Sequence, residues 1–163
     1  MSEDGVTIKR LRDKFPDSII ESHSFRGDDT VIIKKEDIVE VCRFLRDEKG
    51  LAYNFMMDLT VVDYLNIREE PRFEVVYHLY SLEHNHRVRI KAPVSESDCS
   101  IDSIISLWIG ANWFEREAYD MYGIIFKGHP DIRRILLYKE FKGHPLRKDY
   151  PVQGRQPLIG PKN

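Results

Sequence analysis

The 163-residue sequence predicts an α+β domain: a mostly antiparallel sheet of about five strands covered by helices, followed by an extended carboxy-terminal arm. Three observations lead there. Five stretches have the composition or alternation of strands, and others carry helical periodicity. Hydrophobic residues make up 42% of the chain, enough to fill one core. The last quarter is different in kind. Phe126-Lys127-Gly128-His129-Pro130 recurs fifteen residues later as Phe141-Lys142-Gly143-His144-Pro145. Glycine and proline punctuate both copies, so neither one helix nor a central strand fits.

The elements follow in order. Ile8, Leu11 and Phe15 form one face of a short helix that ends before Pro16. Ile19 to Phe25 and Thr30 to Ile33 read as strands joined by a turn at Gly27-Asp28-Asp29. Ile38, Val41, Cys42 and Leu45 mark a second helix, with Glu36 and Asp37 at its positive end and Gly50 after it. Tyr53 to Tyr64 is rich in aromatic and β-branched residues and reads as a long, bent strand. Phe73, Val75, Tyr77 and Leu79 alternate along a strand over 73–82. Val88, Ile90 and Ala92 alternate with Arg87, Arg89 and Lys91. The loop Glu83-His84-Asn85 makes these two strands an antiparallel hairpin, and Pro93 is expected to stop the second. Ser100 reads as the N-cap of a helix with Ile101, Ile104, Ile105 and Trp108 as its apolar stripe, broken at Gly110. A further helix runs from Asn112 to Tyr122, burying Phe114, Ala118 and Met121, and Gly123 caps it. Residues 1–125 are thus an α+β domain and 126–163 a basic arm.

The net charge of -2 conceals an asymmetry. Residues 126–163 hold nine Lys/Arg against three Asp/Glu, whereas residues 1–125 hold sixteen against twenty-four. A basic arm on an acidic body points to a partner, protein or nucleic acid. The arm's apolar residues are Ile132, Ile135, Leu136, Leu137, Leu146, Val152, Leu158 and Ile159. Their burial returns less than the entropy of ordering the arm, so it is expected to take its shape on a partner. Cys42 and Cys99 are far apart and read as free thiols, since two cysteines alone hold neither an iron–sulfur cluster nor a structural zinc. The acidic start Met1-Ser2-Glu3-Asp4 lacks the apolar core of a signal peptide, and no apolar run is long enough to span a bilayer. Membrane association is expected only through another protein.

A search for chemistry finds little. There is no glycine-rich phosphate loop, no GxSxG elbow and no HExxH. His84 and His86 lie two apart at a hairpin turn without a third metal ligand, and an exposed turn is the favoured reading. His129 or His144 could serve a small hydrolase as base, but backbone hydrogen bonds within Gly-His-Pro turns explain them more simply. Asp58 and Asp63 fall on opposite faces of a strand and are assigned to turns. Glu115, Arg116, Glu117 and Asp120 share one helix, with Arg116 and Asp120 spaced for an i,i+4 pair; this face is either solvated or meets the arm or a partner. Tyr138, Phe141 and Tyr150 could stack on single-stranded nucleic acid, which makes such binding the weaker alternative.

Glu115-Arg116-Glu117, Asp120-Met121-Tyr122, His129, Arg133 and Ile135-Leu136 keep a spacing that resembles the thirty-kilodalton (NuoC-type) subunit of respiratory complex I. Gly143-His144-Pro145-Leu146-Arg147-Lys148-Asp149-Tyr150-Pro151 continues the resemblance, and upstream so do Phe55, Asp58-Leu59-Thr60 and Asp63-Tyr64. Tyr119 departs from the usual tryptophan or phenylalanine, and Ile132 from the common leucine. The resemblance implies a noncatalytic subunit in the peripheral arm of a proton-translocating NADH:quinone oxidoreductase. That subunit sits on the cytoplasmic side of the inner membrane and binds no cofactor or metal itself. FMN, iron–sulfur clusters, NADH and quinone belong to other subunits. The implied partners are the forty-nine-kilodalton (NuoD-type) subunit and adjacent iron–sulfur subunits, with no nucleic acid and the membrane reached only through the complex. Related subunits occur in membrane-bound hydrogenases and F420H2 dehydrogenases, which leaves the electron donor open. Expected partner contacts are Arg133, Arg134, Arg147 and Lys148 through ion pairs, Phe126 and Phe141 as anchors, and Glu115, Arg116, Glu117, Asp120, His129 and His144 around them.

Overall fold

A computed structural model describes residues 5–156 and residue 159; the readings of residues 1–4 and of Leu158 fall outside the described residues. Helix α1 (Val6–Lys14) buries Ile8 and Leu11, and its Thr7 hydroxyl meets Tyr53 Oη at 2.7 Å. Strands β1 (Ile19–Phe25) and β2 (Asp28–Ile33) form a hairpin. Its turn is Arg26-Gly27, at φ 54° and 87°, rather than Gly27-Asp28-Asp29. Asp28 and Asp29 already pair with Phe25 and Ser24, and a two-residue loop with both φ positive suits the strand twist. A short 3-10 turn (Lys35–Asp37) leads into α2 (Ile38–Asp47), whose Ile38, Val41, Cys42 and Leu45 are all buried.

The register of strand β3 (Phe55–Asp63) shifts between Met56 and Asp58, as at a β-bulge. β4 (Phe73–Ser81) and β5 (His86–Val94) are fully antiparallel. β5 runs through Pro93, which pairs with Glu74, contrary to the expected stop. Its other neighbour, β2, pairs only as far as Lys91, so Pro93 lies beyond that ladder. The sheet order is β1-β2-β5-β4-β3, with β2 and β5 parallel and every other pair antiparallel. Val31, Ile33, Leu59, Val75, Tyr77, Leu79, Val88, Ile90 and Ala92 join the helices' apolar residues in one core.

The helix expected after Ser100 does not form. Ser100–Asp102 is a short strand, β6, parallel to β7 (Ile125–Lys127). The chain then turns toward α3 (Ala111–Tyr122). Ile101, Ile104 and Trp108 are still buried, but through β6 and the turn that follows it. Tertiary hydrogen bonds override the local helical pattern here. Ser103 N–H donates to Lys127 O at 2.8 Å, and Ile104 N–H to the Glu115 carboxylate at 2.8 Å. Ile105, expected in the stripe, is only half-buried. Ile104→Ala should therefore lower unfolding stability by about 2–5 kcal/mol, and Ile105→Ala by about 1 kcal/mol or less. Equal losses in denaturant titrations would indicate a helical stripe instead.

Candidate functional site

The residues singled out by the motif converge on α3. No basic residue lies in its last turn and no acidic one in its first, so any cation at its carboxy-terminal end comes from another segment. Gly123 closes the helix at φ 78°, the left-handed conformation glycine adopts without strain, and its N–H donates to Tyr119 O at 2.8 Å. The arm meets the remaining carbonyls. His144 Nδ1–H donates to Asp120 O at 3.0 Å, Leu146 N–H to Met121 O at 3.1 Å, and Arg147 Nε–H to Tyr122 O at 2.6 Å. At the other end, His129 Nε2–H donates to Asn112 O at 3.2 Å while its Nδ1 accepts Asp131 N–H at 3.0 Å. The two Gly-His-Pro units thus clasp opposite ends of one helix.

Two fully buried acids project from α3. Glu115 accepts Ser103 Oγ–H at 2.6 Å and Ile104 N–H at 2.8 Å. Burial pushes its carboxyl up to about 7, against those two hydrogen bonds. Asp120 Oδ2 accepts three successive backbone N–H groups, from Ile135, Leu136 and Leu137, at 2.9–3.0 Å, and Oδ1 meets Arg134 at 2.7 Å. Burial works to raise Asp120, but these four donors outweigh it and hold the carboxyl below its usual range.

A second knot fixes the arm's far end. Arg72, almost wholly buried, pairs with Asp63 at 2.9 and 3.0 Å, with Glu96 at 2.6 Å and with Asp149 at 2.8 and 3.1 Å. Lys148 N–H donates to Asp63 Oδ2 at 2.9 Å. Burial raises Asp63, but hydrogen bonds from Arg72, Lys148 and Leu65 outweigh it and bring the carboxyl to about 2. Between the knots Phe141 packs edge-on to Tyr138 and stacks on Tyr150 at 6.0 Å.

Apart from Glu117, the sequence-predicted polar residues have partners within the chain. Glu115, Asp120 and Phe126 are buried. Arg116 donates to the Arg133 and Arg134 carbonyls, so the expected Arg116–Asp120 pair is absent. Glu115 and Asp120 are not on a solvated face. Glu117, Arg133 and Lys148 point outward, and Phe141 is half-buried. The expectation that the arm finds few neighbours on its own body is corrected over residues 126–149. Its contacts are mainly backbone and charged groups, which a count of apolar side chains omits. His84 and His86 bond the Lys49 and Leu51 carbonyls. Among the described residues no group of three or more His, Cys, Asp or Glu could hold a metal. Arg72 and Ser103 carried no sequence signal, whereas Asp149 lay within the quoted motif.

The profile of the family described as respiratory-chain NADH dehydrogenase, 30 Kd subunit, matches residues 31–156. The chain belongs to this thirty-kilodalton subunit family. The C-type NADH-quinone oxidoreductase subunit of Geotalea uraniireducens (strain Rf4) is 54% identical over 162 residues, covering 98% of this chain and 96% of that relative. A solved structure described as Nqo5 of the trypsin-resistant fragment (1-134) is 32% identical, with a TM-score of 0.65; the match covers 77% of this chain and 99% of that one. A chain from the membrane-bound sulfane sulfur reductase, an archaeal respiratory membrane complex, shares the fold at 20% identity and a TM-score of 0.75, over 90% and 84% of the two chains. In this thirty-kilodalton family member, no helix among the described residues is long and apolar enough to cross a membrane.

Gly123 is the tightest point of the clasp: a Cβ there would lie 2.7 Å from His144 Nε2 and 2.9 Å from an Arg147 guanidinium nitrogen. Gly123→Ala should cost about 1–2 kcal/mol from its backbone conformation alone. Hydrogen exchange should then quicken at Leu146 and Lys148 N–H while β4 and β5 amides keep their protection.

The acids give separate pH windows. The folded value of Glu115 lies above its ordinary 4.5, so its contribution is complete below about pH 4.5 and is lost as pH rises to about 7. The loss is up to about 3 kcal/mol. The Asp63 contribution is instead present above pH 3.8 and lost as pH falls toward 2. Denaturant titrations of Glu115→Gln should lack the decline between pH 4.5 and 7 and keep the acid limb.

Proposed function

We propose that this chain is a noncatalytic structural subunit in the peripheral arm of a proton-translocating NADH:quinone oxidoreductase. It docks on the large, forty-nine-kilodalton quinone-site subunit and supports assembly, and with it electron transfer from NADH to quinone, beside iron–sulfur subunits on the cytoplasmic face. One observation carries this reading. The motif's acids, imidazoles and arginines hold the chain's own backbone around α3 and do not converge on a reacting atom. Such an arrangement builds a shaped, rigid surface. FMN, iron–sulfur clusters, NADH and quinone stay with other subunits. Co-expression with the large subunit and its iron–sulfur neighbours should give a stable co-purifying assembly; a monodisperse chain that never associates would overturn the reading.

Because the fold also occurs in a chain of another kind of respiratory membrane complex, the second reading is an equivalent subunit of a related complex such as a membrane-bound hydrogenase or F420H2 dehydrogenase. Oxidation of NADH by the purified assembly favours the first, and oxidation of hydrogen or F420H2 the second. Nucleic-acid binding is the weaker reading, because Phe141 packs against Tyr138 on one side and Tyr150 on the other.

A further inference from the structure

Beside the clasp lies a groove of about 620 Å³ between α3 and the first half of the arm. Ile109, Trp113, Phe114, Ile135 and Leu136 line it, with Glu117 on its rim. Three of these apolar side chains stand largely in solvent: Ile109 is 86% exposed, Trp113 71% and Leu136 63%. A contiguous apolar surface of this kind marks an interaction site, and tryptophan is among the residues most enriched at interface centres. Walls so exposed do not enclose a small molecule, which pockets bury by about 70–90% of its surface. The shape suits a segment of another polypeptide.

Charge narrows the choice. Among the described residues Glu117 has no hydrogen-bond or ion-pair partner, whereas the nearby cations are engaged. Arg116 donates to two arm carbonyls, Arg133 pairs with Asp131, and Arg134 with Asp120. The groove therefore offers an apolar trough beside one free carboxylate. Its arm-side wall is fixed in turn, because Asp120 binds the N–H groups of the lining residues Ile135 and Leu136.

We propose that this groove receives a segment of the large neighbouring subunit that presents an apolar anchor side chain next to a lysine or arginine. The apolar anchor lies against Trp113 and Leu136, and the cation reaches Glu117. This rests on the reading of the chain as a subunit and names the surface that reading leaves open.

The test uses the full-length chain and the purified large subunit. Trp113→Ala and Leu136→Asp change exposed side chains and should leave the melting temperature unchanged. Each should weaken association about thirtyfold. Glu117→Lys should weaken it about tenfold and flatten its salt dependence. Hydroxyl-radical footprinting should show Trp113 oxidised in the free chain and protected in the assembly. If wild type associates and all three variants bind equally well, the groove proposal is overturned while the subunit reading stands. If wild type fails to associate, both fall. An unchanged Glu117→Lys overturns the basic anchor. Self-association of the free chain that Leu136→Asp abolishes would assign the groove to a second copy and overturn it. So would a rise in Trp113 oxidation on deleting residues 157–163, which would assign it to the chain's own tail.

Discussion

The last turn of α3 cannot satisfy its own carbonyls, and this constraint organises the carboxy-terminal third of the molecule. Every helix end leaves such groups without an internal partner. Here Gly123 turns the chain away, and the partners return from more than twenty residues downstream, as His144, Leu146 and Arg147. The cation that α3 lacks in its final turn is supplied by Arg134 and Arg147. Once these contacts form, the arm's path is fixed between α3 and the Arg72 knot, and the aromatic trio is brought together along it.

Glu115 and Asp120 show how one helix can give two acids opposite character. Both side chains are buried and desolvation raises each carboxyl, but the donors around them differ. Glu115 meets one hydroxyl and one amide, and burial prevails. Asp120 meets three amides and a guanidinium, and the charged form prevails. Arg72 repeats the second solution between three carboxylates. Replacing one member of such a group strands the others, so these positions tolerate polar substitution poorly.

Local periodicity made most of the sheet and three helices legible. The alternation in β5 and the apolar stripe of α2 mapped onto buried faces residue by residue. It failed at Ser100–Trp108, where Glu115 and Lys127 bind backbone that would otherwise turn into helix. It also failed at Pro93, because strand register alone decides whether a proline interrupts a ladder. The parallel pairing of β2 with β5 left no local trace, since it joins segments nearly sixty residues apart. At the site, the motif named α3, both histidines and the arginines. Their intramolecular partners were hidden because they are main-chain atoms, which every residue carries. Arg72 was hidden for a related reason: its three acids come from three separate segments.

The order in which the chain is synthesised acquires meaning from the clasp. Residues 5–127 contain every strand and helix among the described residues, so most of the fold precedes the clasping segment in the chain. Until residues 134–147 emerge, the terminal carbonyls of α3 and the Asp120 carboxylate have only water to bind. A segment made after every strand and helix among the described residues thus closes the fold, and a nascent chain cut short before it would carry an unfinished helix end.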